Sequence, residues 1–315
     1  MKRVIIASHR GYCAGVERAV ETVERALEIY GAPVYVRKQI VHNRHVVRDL
    51  EARGAIFVES EETVPRGETL VLAAHGVAPE VYRNAAARGL ATIDATCPLV
   101  KKVHGEVRRF ADAGYCVILV GHAGHEEVIG TTGEAPGAVV LVETVQQARS
   151  VEVPDPKRVA YVTQTTLSID DTAEIIAALH ERFPALVGPR KDDICYATTN
   201  RQLAVKELLP KIDVLLVIGS GNSSNSARLV ETARAAQVAA YRIEDQSEID
   251  EAWFEGFETA GLTSGASAPE KLLVGVCDWF RSRGVTEIAP LASRSEGVAF
   301  KLPVEVSRAA AQPAV

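Results

Sequence analysis

Three stretches decide how this chain is read: HRGYCAGVERAV (residues 9–20), DATCPLVKKVH (residues 94–104) and DDICYATTNRQLAV (residues 192–205). Each runs from a short extended segment, through a cysteine beside Gly, Pro or polar residues, into a helical pattern. Cys13, Cys97 and Cys195 are separated by 84 (97 − 13) and 98 (195 − 97) residues. That spacing suggests a threefold internal repeat of about ninety residues.

Working outward, apolar runs at residues 4–7, 70–73, 117–120, 159–162 and 214–218 alternate with longer helical patterns such as 16–29 and 100–111. The alternation predicts α/β units with small parallel sheets. Two polar loops follow each cysteine at matched distances. His42 in VHNRH, His125 in GHAGHEE and Asn225 in GSGNSSNS lie 29, 28 and 30 residues beyond their cysteines. His75 in AAHGV, Thr165 in TQTTLS and Ser267 in SGASAPE lie 62, 68 and 72 residues beyond them. In parallel sheets, ligands gather where strands end and helices begin. The expected architecture is three similar α/β units arranged with pseudo-threefold symmetry, so that cysteines and polar loops meet at a common centre. The expected units are residues 1–96, joined by a C-terminal segment 284–303, then 97–194 and 195–283, with a flexible tail at 304–315.

Composition narrows the function. Of 315 residues, 47% are hydrophobic and 24% charged, which is globular and leaves ample material for a core. A net charge of −6 argues against a nucleic-acid or anionic-membrane partner, both of which need a basic face. Any bound phosphate must therefore be captured locally. No secretory signal or bilayer-spanning run is visible, and five scattered cysteines are not a disulfide framework, so a cytoplasmic location is expected.

A cysteine taken alone is usually a small core residue. Cys116 in CVILV and Cys277 in EKLLVGVCDWF fit that description. Cys13, Cys97 and Cys195 stand instead at helix starts, where the backbone favours the thiolate. Three thiolates suit either zinc with an open position or an iron–sulfur cluster with one iron lacking a protein ligand. There is no C-x-x-C and no H-E-x-x-H; one ligand per unit favours a cluster, but spacing alone leaves both open. GSGNSSNS lacks the third glycine of a dinucleotide fingerprint and no Walker loop is present, so no nicotinamide is expected. Ser267, Ala268, Pro269 and Glu270 read as a capping box. In GHAGHEE, Glu126 is expected either to face solvent or to perturb Glu127 by like-charge repulsion. His9, Tyr12, Asn43, Thr198, Thr199 and Asn200 carry no signal separable from turn and helix-start chemistry.

HRGYCAGVERAV, QIVHNRHVV, AAHGV, DATCPLVKKVH, GHAGHEEVIGT, VTQTTLS, ICYATTNRQ, GSGNSSNS and SGASAPE together resemble, in this order, the motifs of the 4-hydroxy-3-methylbut-2-enyl diphosphate reductase family, IspH/LytB, from about Ser8 to Glu270. The resemblance implies three α/β units around a central [4Fe-4S] cluster. It implies a two-electron reductive dehydroxylation giving isopentenyl and dimethylallyl diphosphates, the last step of the non-mevalonate isoprenoid pathway, with reduced ferredoxin or flavodoxin as electron donor. It matches Cys13, Cys97 and Cys195 to the cluster ligands, one iron being left without a protein ligand. His42, His75, His125, Thr165, Ser223, Ser224, Asn225 and Ser267 match the substrate-binding positions, most of them on the diphosphate. Glu127 matches the proton donor with Thr165 beside it, and His125 completes the expected catalytic set. A leaving hydroxyl needs a proton, so such a carboxyl should be buried with a raised pKa. The competing readings are an iron–sulfur electron carrier without substrate chemistry and a zinc hydrolase of a phosphorylated compound.

Overall fold

The computed structural model describes residues 1–292 and 296–307. The chain opens with β1 (Arg3–Ile6), α1 (Ala14–Tyr30), β2 (Val34–Arg37), α2 (Arg44–Ala52), β3 (Ala55–Val58), β4 (Thr69–Leu72), α3 (Pro79–Ala87) and β5 (Ala91–Asp94). It continues through α4 (Pro98–Asp112), β6 (Cys116–Val120), α5 (Glu126–Thr132), β7 (Val139–Val142), α6 (Val145–Ser150), β8 (Val159–Thr163) and α7 (Ile169–Arg182). The last part is α8 (Tyr196–Leu208), β9 (Val214–Ile218), α9 (Ser224–Ala235), β10 (Ala239–Ile243), β11 (Thr259–Ser264), α10 (Glu270–Ser282), β12 (Glu287–Pro290) and α11 (Val304–Ser307).

These strands form three sheets, and every pairing among them is parallel. Their orders are β3-β2-β4-β5, β7-β6-β8 and β10-β9-β11-β1-β12. The same core recurs in each: a central first strand, its successor on one side and the third strand on the other. A fourth segment lies beyond the third strand in every case. It is β5 beside β4, β1 beside β11, and the stretch at Val187 bridged to Ala160 of β8. Each fourth segment leads to a cysteine.

The fold is therefore α/β with three parallel sheets, and the sheet membership corrects one expected boundary. β1 pairs with β11, Val4 opposite Ala260, and β12 pairs with β1, Val4 opposite Ile288. The first strand and the C-terminal strand thus complete the third sheet rather than a sheet of residues 1–96. The units counted from Cys97 and Cys195 keep β5 and the Val187 stretch with the sheets they join; only β1, which precedes the first cysteine, is assigned to the wrong unit, because it closes the third repeat. Of the expected tail, residues 304–307 form α11, with Val306 fully buried and Tyr30 donating to the Glu305 carbonyl at 3.1 Å. Residues 308–315 of that tail, and 293–295 of the expected C-terminal segment, lie outside the described residues.

The described residues divide into two compact units, residues 1–16, 42–46, 196–292 and 296–299 in one, and 17–41, 47–195 and 300–307 in the other. The first holds the sheet centred on β9, whose five residues VLLVI are all buried. A continuous apolar run is what a parallel strand covered on both faces requires. One side packs Val214, Leu216 and Ile218 against Leu272, Val276 and Phe280 of α10, and the other packs Leu215 and Val217 against Val205, Leu208 and Leu229. In the second unit α4 presents Val103, Val107 and Phe110 at helical spacing to Val117 and Leu119 of β6. Leu216→Ala removes a fully buried side chain between strand and helix, and it is expected to cost about 2–5 kcal/mol in chemical denaturation. A loss below about 1 kcal/mol would show that this layer is not close-packed.

Candidate active site

The three cysteines stand at helix starts, as their sequence context predicts. Cys13 immediately precedes α1, Cys97 is the N-cap of α4 with Pro98 at the first helical position, and Cys195 immediately precedes α8. All three are half-buried, and none of the five cysteines forms a disulfide. Each cysteine amide donates to a carbonyl in the loop after the third strand of its sheet: Cys13 to Ala266 at 3.3 Å, Cys97 to Ala74 at 3.0 Å and Cys195 to Thr165 at 3.1 Å. Those acceptors are Thr165 itself and the neighbours of Ser267 and His75. The polar loops are thereby tied to the cysteines one to one. Cys277 is buried in the α10 core as expected, while Cys116 opens β6 half-exposed.

For Cys13 the helix start does not prevail electrostatically. Burial pushes its thiol up, with Arg201 and the amides of Val16 and Gly15 pulling the other way. In the apo chain this thiol stays protonated; metal coordination deprotonates a thiol outright.

The compact unit of 17–41, 47–195 and 300–307 brings Cys97, Cys195, His75, His125, Glu127 and Thr165 into one network. His125 caps α5, its Nδ1 accepting the Glu127 amide at 3.1 Å, so the ring proton resides on Nε2. His75 meets it edge-on at 6.0 Å between ring centroids, on a turn that Gly76 closes with φ +77°. Burial, with a smaller contribution from His122, pushes the His125 pKa down to about 4, so the imidazole is neutral at physiological pH.

Glu127 is 2% exposed. Its Oε1 accepts the Thr165 amide at 2.6 Å, and its Oε2 lies 3.0 Å from the Thr165 hydroxyl. Burial raises its pKa to about 7, with the bonds from Thr165 opposing and the charge of Asp193 adding to the rise. Glu126 matches neither sequence expectation. It is half-buried and pairs with Lys38 at 3.5 Å and Arg37 at 3.9 Å. It is not among the groups that shift Glu127.

The other unit brings together Cys13, His42, Ser223, Ser224, Asn225 and Ser267. Ser223 caps α9, accepting the Ser226 amide at 3.3 Å, and Ser224 opens that helix. Asn225 Oδ1 accepts the Ala266 amide at 2.9 Å, while its buried Nδ2 has no hydrogen-bond partner among the described residues. An orphan donor is costly unless a ligand satisfies it. His42 Nδ1 lies 3.2 Å from Asn222 Nδ2. Ser267 departs from the capping-box expectation: its hydroxyl donates to the His42 carbonyl at 2.9 Å, and α10 is entered through Pro269 with no side-chain cap. Pro269 displaces the serine two residues from the cap position, which leaves its hydroxyl to join the two polar loops.

Sequence reading missed Asp193, two residues before Cys195. It is buried, accepts the Thr163 amide at 3.0 Å through Oδ2 and pairs with Lys102 at 2.9 Å. The DDIC run shows two acids, but nothing local distinguishes a buried one from a loop aspartate. Among the described residues no three His, Cys, Asp or Glu side chains are grouped around a single metal-ion position.

The family described as LytB protein matches residues 4–281. A 4-hydroxy-3-methylbut-2-enyl diphosphate reductase of Acidothermus cellulolyticus is 57% identical over 308 residues, 98% of this chain and 91% of that protein. One of the same name from Streptomyces avermitilis is 54% identical over the same shares. The solved structure of the E-1-hydroxy-2-methyl-but-2-enyl-4-diphosphate reductase from Plasmodium falciparum superposes with a TM-score of 0.93 at 38% identity, covering 98% of this chain and 97% of that one. A second solved structure, an (E)-4-hydroxy-3-methyl-but-2-enyl diphosphate reductase described as the terminal enzyme of the non-mevalonate pathway, gives 0.63 at 34% identity over 90% of this chain.

The neutrality of His125 is directly measurable. Its ring nitrogens are expected to keep neutral-imidazole NMR shifts from pH 8 down to about 4; a titration near 6.5 would contradict the burial described.

Proposed function

The chain belongs to the LytB family, and on that premise we propose that it is a 4-hydroxy-3-methylbut-2-enyl diphosphate reductase. The observation that carries the reading is Glu127, a carboxyl buried beside the Thr165 hydroxyl with its pKa raised to about 7. The reaction replaces an allylic hydroxyl by hydrogen: two electrons and two protons enter, and water leaves with isopentenyl or dimethylallyl diphosphate. We assign the cluster ligands to Cys13, Cys97 and Cys195. The donor set fits a [4Fe-4S] cluster: three soft thiols without disulfides, each at a helix start and each with its amide fixed. When bound, the cluster supplies the electrons and an iron without a protein ligand that acts as a Lewis acid. The donor of those electrons is a small reductant protein of the ferredoxin or flavodoxin type, and cysteines outside any disulfide suit a reducing cytoplasm. Among the described residues no helix is long and apolar enough to cross a membrane.

The protein's own groups account for the proton. Hydroxide is a poor leaving group, so its oxygen must be protonated as the carbon–oxygen bond breaks. Glu127 holds that proton near neutrality. Its contact with Thr165 works in both directions, the carboxylic acid donating to the hydroxyl oxygen and the carboxylate accepting from it, so Thr165 passes the proton outward and is recharged from Glu127. The diphosphate, in a net acidic protein, is held by local donors: the orphan amide of Asn225, the hydroxyls of Ser223, Ser224 and Ser267, and the imidazoles of His42, His75 and His125. His125, with Nδ1 occupied by the Glu127 amide, offers Nε2–H to substrate oxygen.

A general acid acts in its protonated form, so kcat is expected to be level below pH about 7 and to fall tenfold per unit above it. Glu127→Gln should retain bound iron and substrate affinity, lose about a hundredfold or more in kcat, and lose this alkaline limb. Turnover within threefold of wild type would overturn the assignment.

A further inference from the structure

Early in the second turn of each helix that follows a cysteine stands a cation. Arg18, Lys102 and Arg201 lie five, five and six residues after Cys13, Cys97 and Cys195. Arg18 donates to the carbonyls of Thr96 at 3.1 Å and Asp94 at 3.3 Å, and to that of Lys301 at 2.8 Å. Lys102 donates to the carbonyls of Lys191 at 2.5 Å and Asp192 at 3.0 Å, and pairs with Asp193 at 2.9 Å. Arg201 donates to the carbonyls of Gly11 at 2.6 Å, Tyr12 at 3.3 Å and Arg10 at 3.4 Å, with Glu296 at 3.2 Å. The acceptors are the residues just ahead of Cys97, Cys195 and Cys13 respectively. The helix after each cysteine therefore holds the approach to the next cysteine in chain order, and the third returns to the first.

Two of these cations are held at a price that simple loop stapling does not require. Arg201 is 1% exposed and Arg18 is 7% exposed, and a buried guanidinium loses several kcal/mol of hydration unless strong acceptors replace it. Carbonyl dipoles replace part of that hydration but leave the charge in place. Cys97 is among the charges that act on Arg18, and Arg201 is the foremost charge acting on Cys13. Lys102 is less buried and pairs with the fully buried carboxylate of Asp193, whereas the carboxylate that meets Arg201, that of Glu296, is partly exposed and more screened by solvent.

We propose that Arg18, Lys102 and Arg201 are positioning residues, each fixing the backbone that presents the next cysteine, and that Arg18 and Arg201 also lend fixed positive charge to the anionic group those cysteines hold. The second clause rests on the reading of the cysteines as cluster ligands; the first does not. A cationic neighbour favours the reduced, more negative state of such a group.

The test is peptide-resolved hydrogen exchange on the metal-free full-length chain, wild type against Arg18→Met, Lys102→Met and Arg201→Met. Each variant should raise exchange about tenfold or more in one segment only: 94–97 for Arg18, 191–195 for Lys102 and 10–13 for Arg201. If a Met variant fails to fold, Arg18→Lys or Arg201→Lys, which keep the charge and lose the fork, should raise exchange in the same segment. Exchange rising in all three segments together, or in none, would overturn the positioning role. On the anaerobically loaded protein, the Met variants of Arg18 and Arg201 should lower the midpoint potential and the Lys variants should restore it; unchanged potentials in protein that holds iron and sulfide would overturn the charge role. Wild type that binds no iron and sulfide would instead sink the functional reading, leaving the exchange pattern to judge the positioning alone.

Discussion

The hydrogen bond from each cysteine amide to the loop after a third strand is the constraint on which the site depends. Cys13 to Ala266, Cys97 to Ala74 and Cys195 to Thr165 are the same bond made three times. It places a thiol at a helix start and couples it to the loop carrying Ser267, His75 or Thr165. A parallel sheet makes this possible, because its strands all end on one edge and every crossover must begin there. The common strand order in the three sheets is the scaffold, and the repeated amide bond turns that scaffold into three equivalent corners.

Electrostatics then divide the labour among residues that look alike in sequence. Glu126 and Glu127 are adjacent, yet one pairs with Lys38 and Arg37 while the other is sealed against Thr165. Only the sealed one becomes an acid active near neutrality. His125 is pushed the opposite way by the same burial, because desolvation disfavours charge on either kind of group. At pH 7 a carboxyl near its midpoint and a neutral imidazole stand two residues apart, so burial has both lowered the anionic charge of the one and removed the cationic charge of the other.

Much of this was legible in the sequence. The spacing pairs each of the three cysteines with a polar loop after a third strand, and the structure ties those loops to the cysteine amides, because similar lengths of strand and helix return the chain to the same edge. The class of fold followed from alternating patterns. Sheet membership of β1 was not legible, since Val4 pairs with Ala260, a partner 256 residues away that no local pattern specifies. The S-x-x-E pattern at Ser267 misled because Pro269 moves the helix entrance, a difference of two residues within a valid motif. The roles of Arg18, Lys102 and Arg201 are not legible in the sequence, because a cation on a helix is ordinarily solvated and the carbonyls that hold these three come from distant segments.

The central claim is that Cys13, Cys97 and Cys195 act together on one iron–sulfur cluster. Anaerobic iron and sulfide analysis, with a visible spectrum, of wild type and of Cys13→Ser, Cys97→Ser and Cys195→Ser tests it most directly. The account predicts about four irons and four sulfides per wild-type chain, with loss in each of the three variants and none in Cys116→Ser. Stoichiometric zinc, or iron retained in full when any of the three is replaced, would contradict it.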